Sequence, residues 1–331
     1  CLFVNMNNFY FSQYSLVDFA GEFVKRGGKV LLIDQVFKLP DWSHDLRICY
    51  ERYPNLKIVF TGSSVMRLKD ENPELNGIVR SYNLRGFSFR EFLNLQTGNH
   101  FSSYSLEEIL TNHEHIAKTI LPHTNPLNYF QDYIHHGFYP FFLEKRYFSE
   151  NLLKTMNMMI EVDILLIKQI ELKYLSKIKK LLYLLAVDGP VAPNVSQLAA
   201  DIQTSRATVM NYIKYLADAR LINMVYPKGE VFPKKPAKIM MHNTNLMYSI
   251  YPVKVEEQDV LETFFVNSLW KDHKVNKGEK GTSFLVDESL NFRICSEGYK
   301  FKNSPNIYYA MHKSELGHGN QIPLWLFGFL Y

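Results

Sequence analysis

The sequence predicts an α/β protein built on a parallel sheet, followed by a helical bridge, a winged helix-turn-helix and a second α/β segment. Three patterns lead there. Strand-length apolar runs alternate with helix-length amphipathic segments over the first hundred residues, as in a doubly wound parallel sheet. Residues 101–170 read as helical and rich in aromatics. Residues 171–235 give helix, short helix, turn, longer helix and strand, the order of a winged helix-turn-helix. At 331 residues the chain exceeds one comfortable hydrophobic core. Four segments are expected, at 1–100, 101–170, 171–235 and 236–331.

Cys1-Leu2-Phe3-Val4-Asn5 already reads as a strand. A chain that opens in mid-pattern predicts further sequence upstream. Ser15-Leu16-Val17-Asp18 starts a helix by capping logic, and Gly27-Gly28 stops it. Lys29 to Ile33 is an apolar run suited to a buried parallel strand. A second helix follows Pro40-Asp41-Trp42, and Leu56 to Phe60 is the next strand. Val79 to Leu84 is a third candidate strand. Ser88/Glu91 and Ser105/Glu108 each have the spacing of a capping box. In the last hundred residues Leu261 to His273 reads as an amphipathic helix. Phe284–Asp287, Asn291–Cys295, Ile307–Ala310 and Leu324–Phe327 read as strands.

Composition sets the broad class. The chain is 47% hydrophobic and 21% charged, with a net charge of +4, so charge has to be read locally. Cys1, Cys49 and Cys295 are far apart and form no CxxC pair, so neither a zinc knuckle nor a disulfide framework is expected. Free thiols suit a reducing compartment. No apolar run reaches the ~18 residues that would span a bilayer. A cytoplasmic protein without a membrane partner is the expectation. His113-Glu114-His115 and His135-His136 lack the i, i+4 spacing of helical metal ligands.

The strongest chemical signal is Lys29-Val30-Leu31-Leu32-Ile33-Asp34-Gln35. An apolar strand running into Asp34 places a carboxylate at the edge where open parallel sheets bind ligands. With Phe60-Thr61-Gly62-Ser63-Ser64 and Gly86-Phe87-Ser88-Phe89-Arg90-Glu91-Phe92 in the same order, the chain resembles the AAA-type ATPases of Bacteroidetes and archaea. In those proteins a winged helix and a nuclease-like domain follow the ATPase domain. The resemblance implies ATP and Mg2+ as ligands, Asp34 as the metal-site carboxylate, and Thr61, Ser63 and Ser64 as residues sensing the terminal phosphate. It also implies a catalytic position at residue 35.

The departures are equally specific. No GxxxxGK[ST] occurs in the sequence, so the sheet is a partial P-loop type. Gln35 stands where the family has Glu, and an amide cannot accept the proton of an attacking water. Gly77-Ile78 replace an arginine pair, with Arg80 displaced by two. A nucleotide-binding protein deficient in hydrolysis is expected. The alternative is a DNA- or protein-binding module acting through the winged helix, with the ATPase half as scaffold.

In that winged helix, Val209, Ile213 and Leu216 form the inward stripe. Thr204, Ser205, Arg206, Thr208, Asn211 and Lys214 are left to reach phosphates and base edges. Residues 171–240 hold eleven Lys/Arg against five Asp/Glu, more than the chain's whole cationic excess. That balance is compatible with DNA; a lid or protein-docking role is the other reading, and oligomerisation is left open. The last segment resembles a restriction-nuclease core. There Asp287 fits the first metal position, Arg293 stands where an acid is needed and Glu297 is displaced.

Overall fold

The computed structural model describes residues 1–63, 72–144, 146–300 and 304–331. They form two compact units. The first holds Cys1–Leu84 and Glu161–Ile170, and the second Arg85–Ile160 and Glu171–Tyr331. This division differs from the four expected segments: residues 85–100 fold with the second unit, and 161–170 return to the first.

The first unit is a three-stranded parallel sheet, β1 (Leu2–Asn5), β2 (Val30–Asp34) and β3 (Lys57–Phe60), in the order β1-β2-β3. Helix α1 (Leu16–Lys25) links β1 to β2, and α2 (Trp42–Arg52) links β2 to β3. Ser15 caps α1 by accepting the Asp18 N–H at 3.0 Å. Gly27, at φ +83°, ends the turn that follows it.

Alternation along the strands separates two sheet faces. Leu31 and Ile33 are buried in a cluster with Leu16, Val17, Ala20, Leu46 and Cys49 of the two helices. The other face sets Phe3, Leu32 and Val59 in one cross-strand row, and Phe3 and Val59 remain 63% and 58% exposed. Both helices thus cover one side, where a doubly wound sheet carries helices on two. Val79–Leu84 is not a strand. Ile78 and Val79 rest against the helix-side cluster, while Tyr82 and Leu84 are exposed.

The second unit opens with α3 (Phe89–Thr97) and α4 (Leu106–Ile120), each started by a complete capping box, Ser88/Glu91 and Ser105/Glu108. Helix α5 (Leu127–Asp132) runs into a π-helical turn at Tyr133–Gly137, and α6 spans Phe148–Met158. Helices Leu175–Asp188, Val195–Asp201 and Arg206–Asp218 precede the antiparallel pair β4 (Ile222–Val225) and β5 (Lys238–Met241). An isolated antiparallel bridge joins Val191 to Ile239.

The remainder is a five-stranded mixed sheet in the order β10-β9-β8-β7-β6. Its strands are β6 (Val275–Lys277), β7 (Phe284–Val286), β8 (Leu290–Cys295), β9 (Tyr308–Met311) and β10 (Gln321–Pro323). Helix Glu257–Leu269 has nine buried residues. It is a core helix and not the amphipathic one expected. Leu324–Phe327, expected as a strand, falls within a 3-10 helix, Leu324–Phe329, with all six residues buried. An apolar run wrapped on every side carries no period to tell helix from strand.

Candidate functional site

Asp34 ends β2, the middle strand of the parallel sheet, and its carboxylate is held from both sides. Asn5, its register partner on β1, donates its side-chain amide to Oδ2 at 2.7 Å. Thr61, just past β3, donates its hydroxyl to Oδ1 at 2.5 Å. The same hydroxyl accepts the Gln35 N–H at 3.1 Å, and the Thr61 carbonyl accepts the Val36 N–H at 3.1 Å. Three consecutive strand ends are therefore tied through one carboxylate and one hydroxyl.

Gln35 sits in the left-handed region, φ 57° and ψ 47°. A non-glycine residue there is strained by about 1–3 kcal/mol and persists only where its surroundings over-determine it. Those surroundings are the two Thr61 bonds and Asn7, whose amide donates to Gln35 Oε1 at 2.8 Å. The side chain that follows the strand-end acid is fixed in place and has no basic atom to take a proton.

Ser63 donates its hydroxyl to Asp163 Oδ2 at 2.6 Å. Asp163 comes from the segment that returns to this unit. Burial pushes its carboxyl above the usual range, while the Ser63 hydrogen bond and the Lys38 charge pull it down. Ser64 lies outside the described residues. Asp34, Thr61 and Ser63 are thus gathered at one edge of the sheet, together with Asn5, Asn7 and Asp163, which the sequence reading did not single out. Register could have found Asn5, because it closes the neighbouring strand. No local pattern points to Asp163, a hundred residues from its partner.

The fit of a cation follows from the donor set. Asp34 supplies one carboxylate, each oxygen already receiving a hydrogen bond. Among the described residues no group of three or more His, Cys, Asp or Glu side chains could hold a metal. Mg2+ is usually bound by one or two carboxylates together with waters and substrate phosphates. Asp34 matches the protein's share of such a site, and the phosphates would have to come with a nucleotide.

In the second unit, helix Arg206–Asp218 carries the residues expected to face DNA. Ser205 caps it, accepting the Thr208 N–H at 3.1 Å with the two hydroxyls 2.9 Å apart. The Thr204 N–H bonds to the Ala199 carbonyl. Arg206 and Asn211 are exposed, while Lys214 is ion-paired to Asp218 with little of either side chain exposed. The surrounding cations are largely spoken for. Lys177 and Lys180 donate to the Gln203 and Asp201 carbonyls at 2.6 Å each. Lys173, Lys228, Lys234 and Lys238 pair with Glu171, Glu288, Glu230 and Glu262. Much of the expected positive footprint is therefore answered by neighbouring carboxylates and carbonyls.

In the mixed sheet, Asp287 lies in the β7–β8 turn. It accepts from the Lys274 N–H at 2.8 Å and stands 2.7 Å from His273 Nδ1. Arg293, at the far end of that hairpin, donates to the Gly281 carbonyl and to the Tyr299 hydroxyl. Glu297 pairs with Lys313. These side chains do not converge.

A further polar cluster lies where no sequence signal was read. Asn245 is fully buried; it donates to the carbonyls of Tyr133 (3.1 Å) and Ile134 (2.7 Å) and accepts the Phe138 N–H (2.9 Å). Thr244 donates to the same Ile134 carbonyl at 2.6 Å. The π turn loses regular helical pairing, and these two side chains satisfy the groups it frees.

Residues 1–93 match the family model of an AAA domain, which supports an AAA-type, nucleotide-binding family for this part of the chain. ATP and Mg2+ are the ligands of that family in general. Residues 127–254 match a second model, a domain of unknown function (DUF8612). The chain is 28% identical over 210 residues to an uncharacterized protein of Methanocaldococcus jannaschii, covering 62% of this chain and 44% of that protein. It thus spans less than half the length of that curated relative. No solved structure matches it. No helix among the described residues is long and apolar enough to cross a membrane.

Proposed function

We propose that this chain is an ATP-binding protein of the AAA type whose strand-end chemistry no longer supports hydrolysis. The observation that carries the reading is the Asp34–Thr61 bond at the carboxyl edge of a parallel sheet, with an amide, Gln35, next in the chain. Asp34 would hold the cation side of an ATP–Mg2+ complex, Thr61 and Ser63 would lie toward the terminal phosphate, and Gln35 would position a water without deprotonating it. A cytoplasmic setting belongs to this reading, and three unpaired cysteines suit it. The test is a thermal melt of the 331-residue chain against ATP with Mg2+, alongside a phosphate-release assay. A ligand that binds only the folded state raises the melting temperature. The expected result is a rise that Asp34→Asn removes, with phosphate release at buffer background. A melting temperature indifferent to saturating ATP retires the reading.

A second reading assigns the three helices, the β4–β5 pair and the Val191 bridge to a winged helix-turn-helix that binds a macromolecule, and the mixed sheet to a nuclease-like remnant without cleavage chemistry. The lysines already held by carboxylates and carbonyls favour a protein partner over DNA. Duplex titrations at two salt concentrations separate the two. Binding that weakens steeply with salt speaks for DNA through Arg206 and its neighbours, and absence of binding leaves the protein-docking role.

A further inference from the structure

The π turn at Tyr133–Gly137 borders a cavity of about 410 Å³ in the second unit. Its lining includes Asp132, His136, Phe141, Phe142, Arg146 and Phe148. The volume falls within the range of sites for small organic ligands.

The aromatic part of the wall is fixed by ring-on-ring contacts. Phe142 meets the buried Phe92 edge to face at 5.0 Å, Phe141 meets Phe148 at 6.2 Å, and Phe148 stands edge-on to His136 at 5.0 Å. The polar part is open. Asp132, His136 and Arg146 are exposed and take no hydrogen bond or ion pair among the described residues. Asp132 and His136 are four residues apart on the α5–π segment, so both reach one cavity. The buried Asn245 amide holds the backbone between and beyond them. A positive and a negative group share one aromatic recess without neutralising each other, and π turns recur at functional sites because they re-aim side chains.

We propose that this cavity binds a small flat-ringed molecule carrying an anionic group and an N–H donor. The ring would lie against the phenyl groups, the anion would meet the Arg146 guanidinium, and the donor would meet the Asp132 carboxylate. Two sources share that chemistry. A guanine nucleotide offers a phosphate and ring-edge N–H groups, and an aromatic amino acid offers a carboxylate and an ammonium. The site is separate from the Asp34 edge and does not depend on the ATP reading.

The test is isothermal titration of the 331-residue chain with GMP, AMP, L-tyrosine and L-tryptophan as probes. Saturable one-to-one binding of GMP over AMP identifies the nucleotide source, and binding of the amino acids identifies the other. In either case Arg146→Ala and Asp132→Asn, both at exposed positions, should each weaken binding about tenfold or more, Phe148→Ala about as much, and Asp34→Asn not at all. Arg146→Lys should recover part of the loss, because the charge returns without the planar fork. The proposal is overturned if no probe saturates at millimolar concentration, or if binding survives both Arg146→Ala and Asp132→Asn unchanged.

Discussion

Ser63 and Asp163, a hundred residues apart in sequence, are joined by a 2.6 Å hydrogen bond at the carboxyl edge of the parallel sheet. An acid thus lies against the loop that the AAA-type resemblance assigns to sensing a phosphate. A fixed carboxylate there repels an incoming anion unless it is protonated or replaced. Asp163→Asn keeps an acceptor for Ser63 and removes the charge, so the ATP-induced rise in melting temperature should be larger in this variant than in the parent. A smaller rise would mean that the carboxylate helps to hold the ligand.

The same residue gives a pH signature. Burial raises the folded-state pKa of Asp163, so the folded chain binds its proton more readily than the unfolded chain does. Its contribution to stability is present below the ordinary carboxylate pKa and is lost as pH climbs through the raised value. Thermal melts across that window should show Asp163→Asn gaining on the parent as pH rises. Parallel curves would contradict this.

Gln35→Glu should fold as the parent does. The bond from Asn7 ends on Oε1, which a glutamate also offers, and the backbone bonds to Thr61 are indifferent to the change. A stability difference within about 0.5 kcal/mol is expected. Phosphate release should stay at background, because without a phosphate-cradling loop the terminal phosphate is not held in line with the water that the base would activate. Turnover restored by this one substitution would show that the sheet edge is already competent.

Asn245→Ala should be among the most damaging single changes in the second unit. It strands the buried Tyr133 carbonyl and the Phe138 N–H, each costing about 1–3 kcal/mol when left unpaired, while Thr244 still serves Ile134, so a loss of about 3 kcal/mol is expected. Urea unfolding would measure it. Asn245→Asp should be no better, since a carboxylate accepts from Phe138 but cannot donate to the carbonyls.

His242 is buried, its Nδ1 lies 2.9 Å from Asn223 Oδ1, and desolvation, helped by the Arg220 charge, lowers its pKa to about 3. The unfolded chain therefore binds a proton that the folded chain refuses. Stability is full above the ordinary histidine pKa and falls by about 1.4 kcal/mol per pH unit as pH drops toward the folded value. His242→Gln should flatten that acid limb. An unchanged limb would place the acid sensitivity elsewhere.

The sequence made the helix starts legible, because a capping box is local: Ser88 with Glu91 and Ser105 with Glu108 close within one turn. Asp34 and Thr61 were legible for a similar reason, since strand ends and their loops carry the chemistry of parallel sheets. Short polar strands such as Val275–Lys277 and Gln321–Pro323 gave no signal, because three residues cannot display a period. Leu324–Phe327 misled for the opposite reason, with apolar residues on every side. Several lysines of residues 171–240 looked free in sequence because their partners are set by tertiary packing. Lys180, for instance, ends on a carbonyl 21 residues away.

The Asn245 amide reaches groups 107 to 112 residues earlier in the chain. On a ribosome that releases the protein from its N-terminus, the π turn emerges long before the residue that completes it. Until then its open carbonyls can be served only by water. The turn can therefore be completed only after residue 245 has emerged, and a nascent chain stopped short of it would expose an unfinished turn to the cell's quality-control proteases.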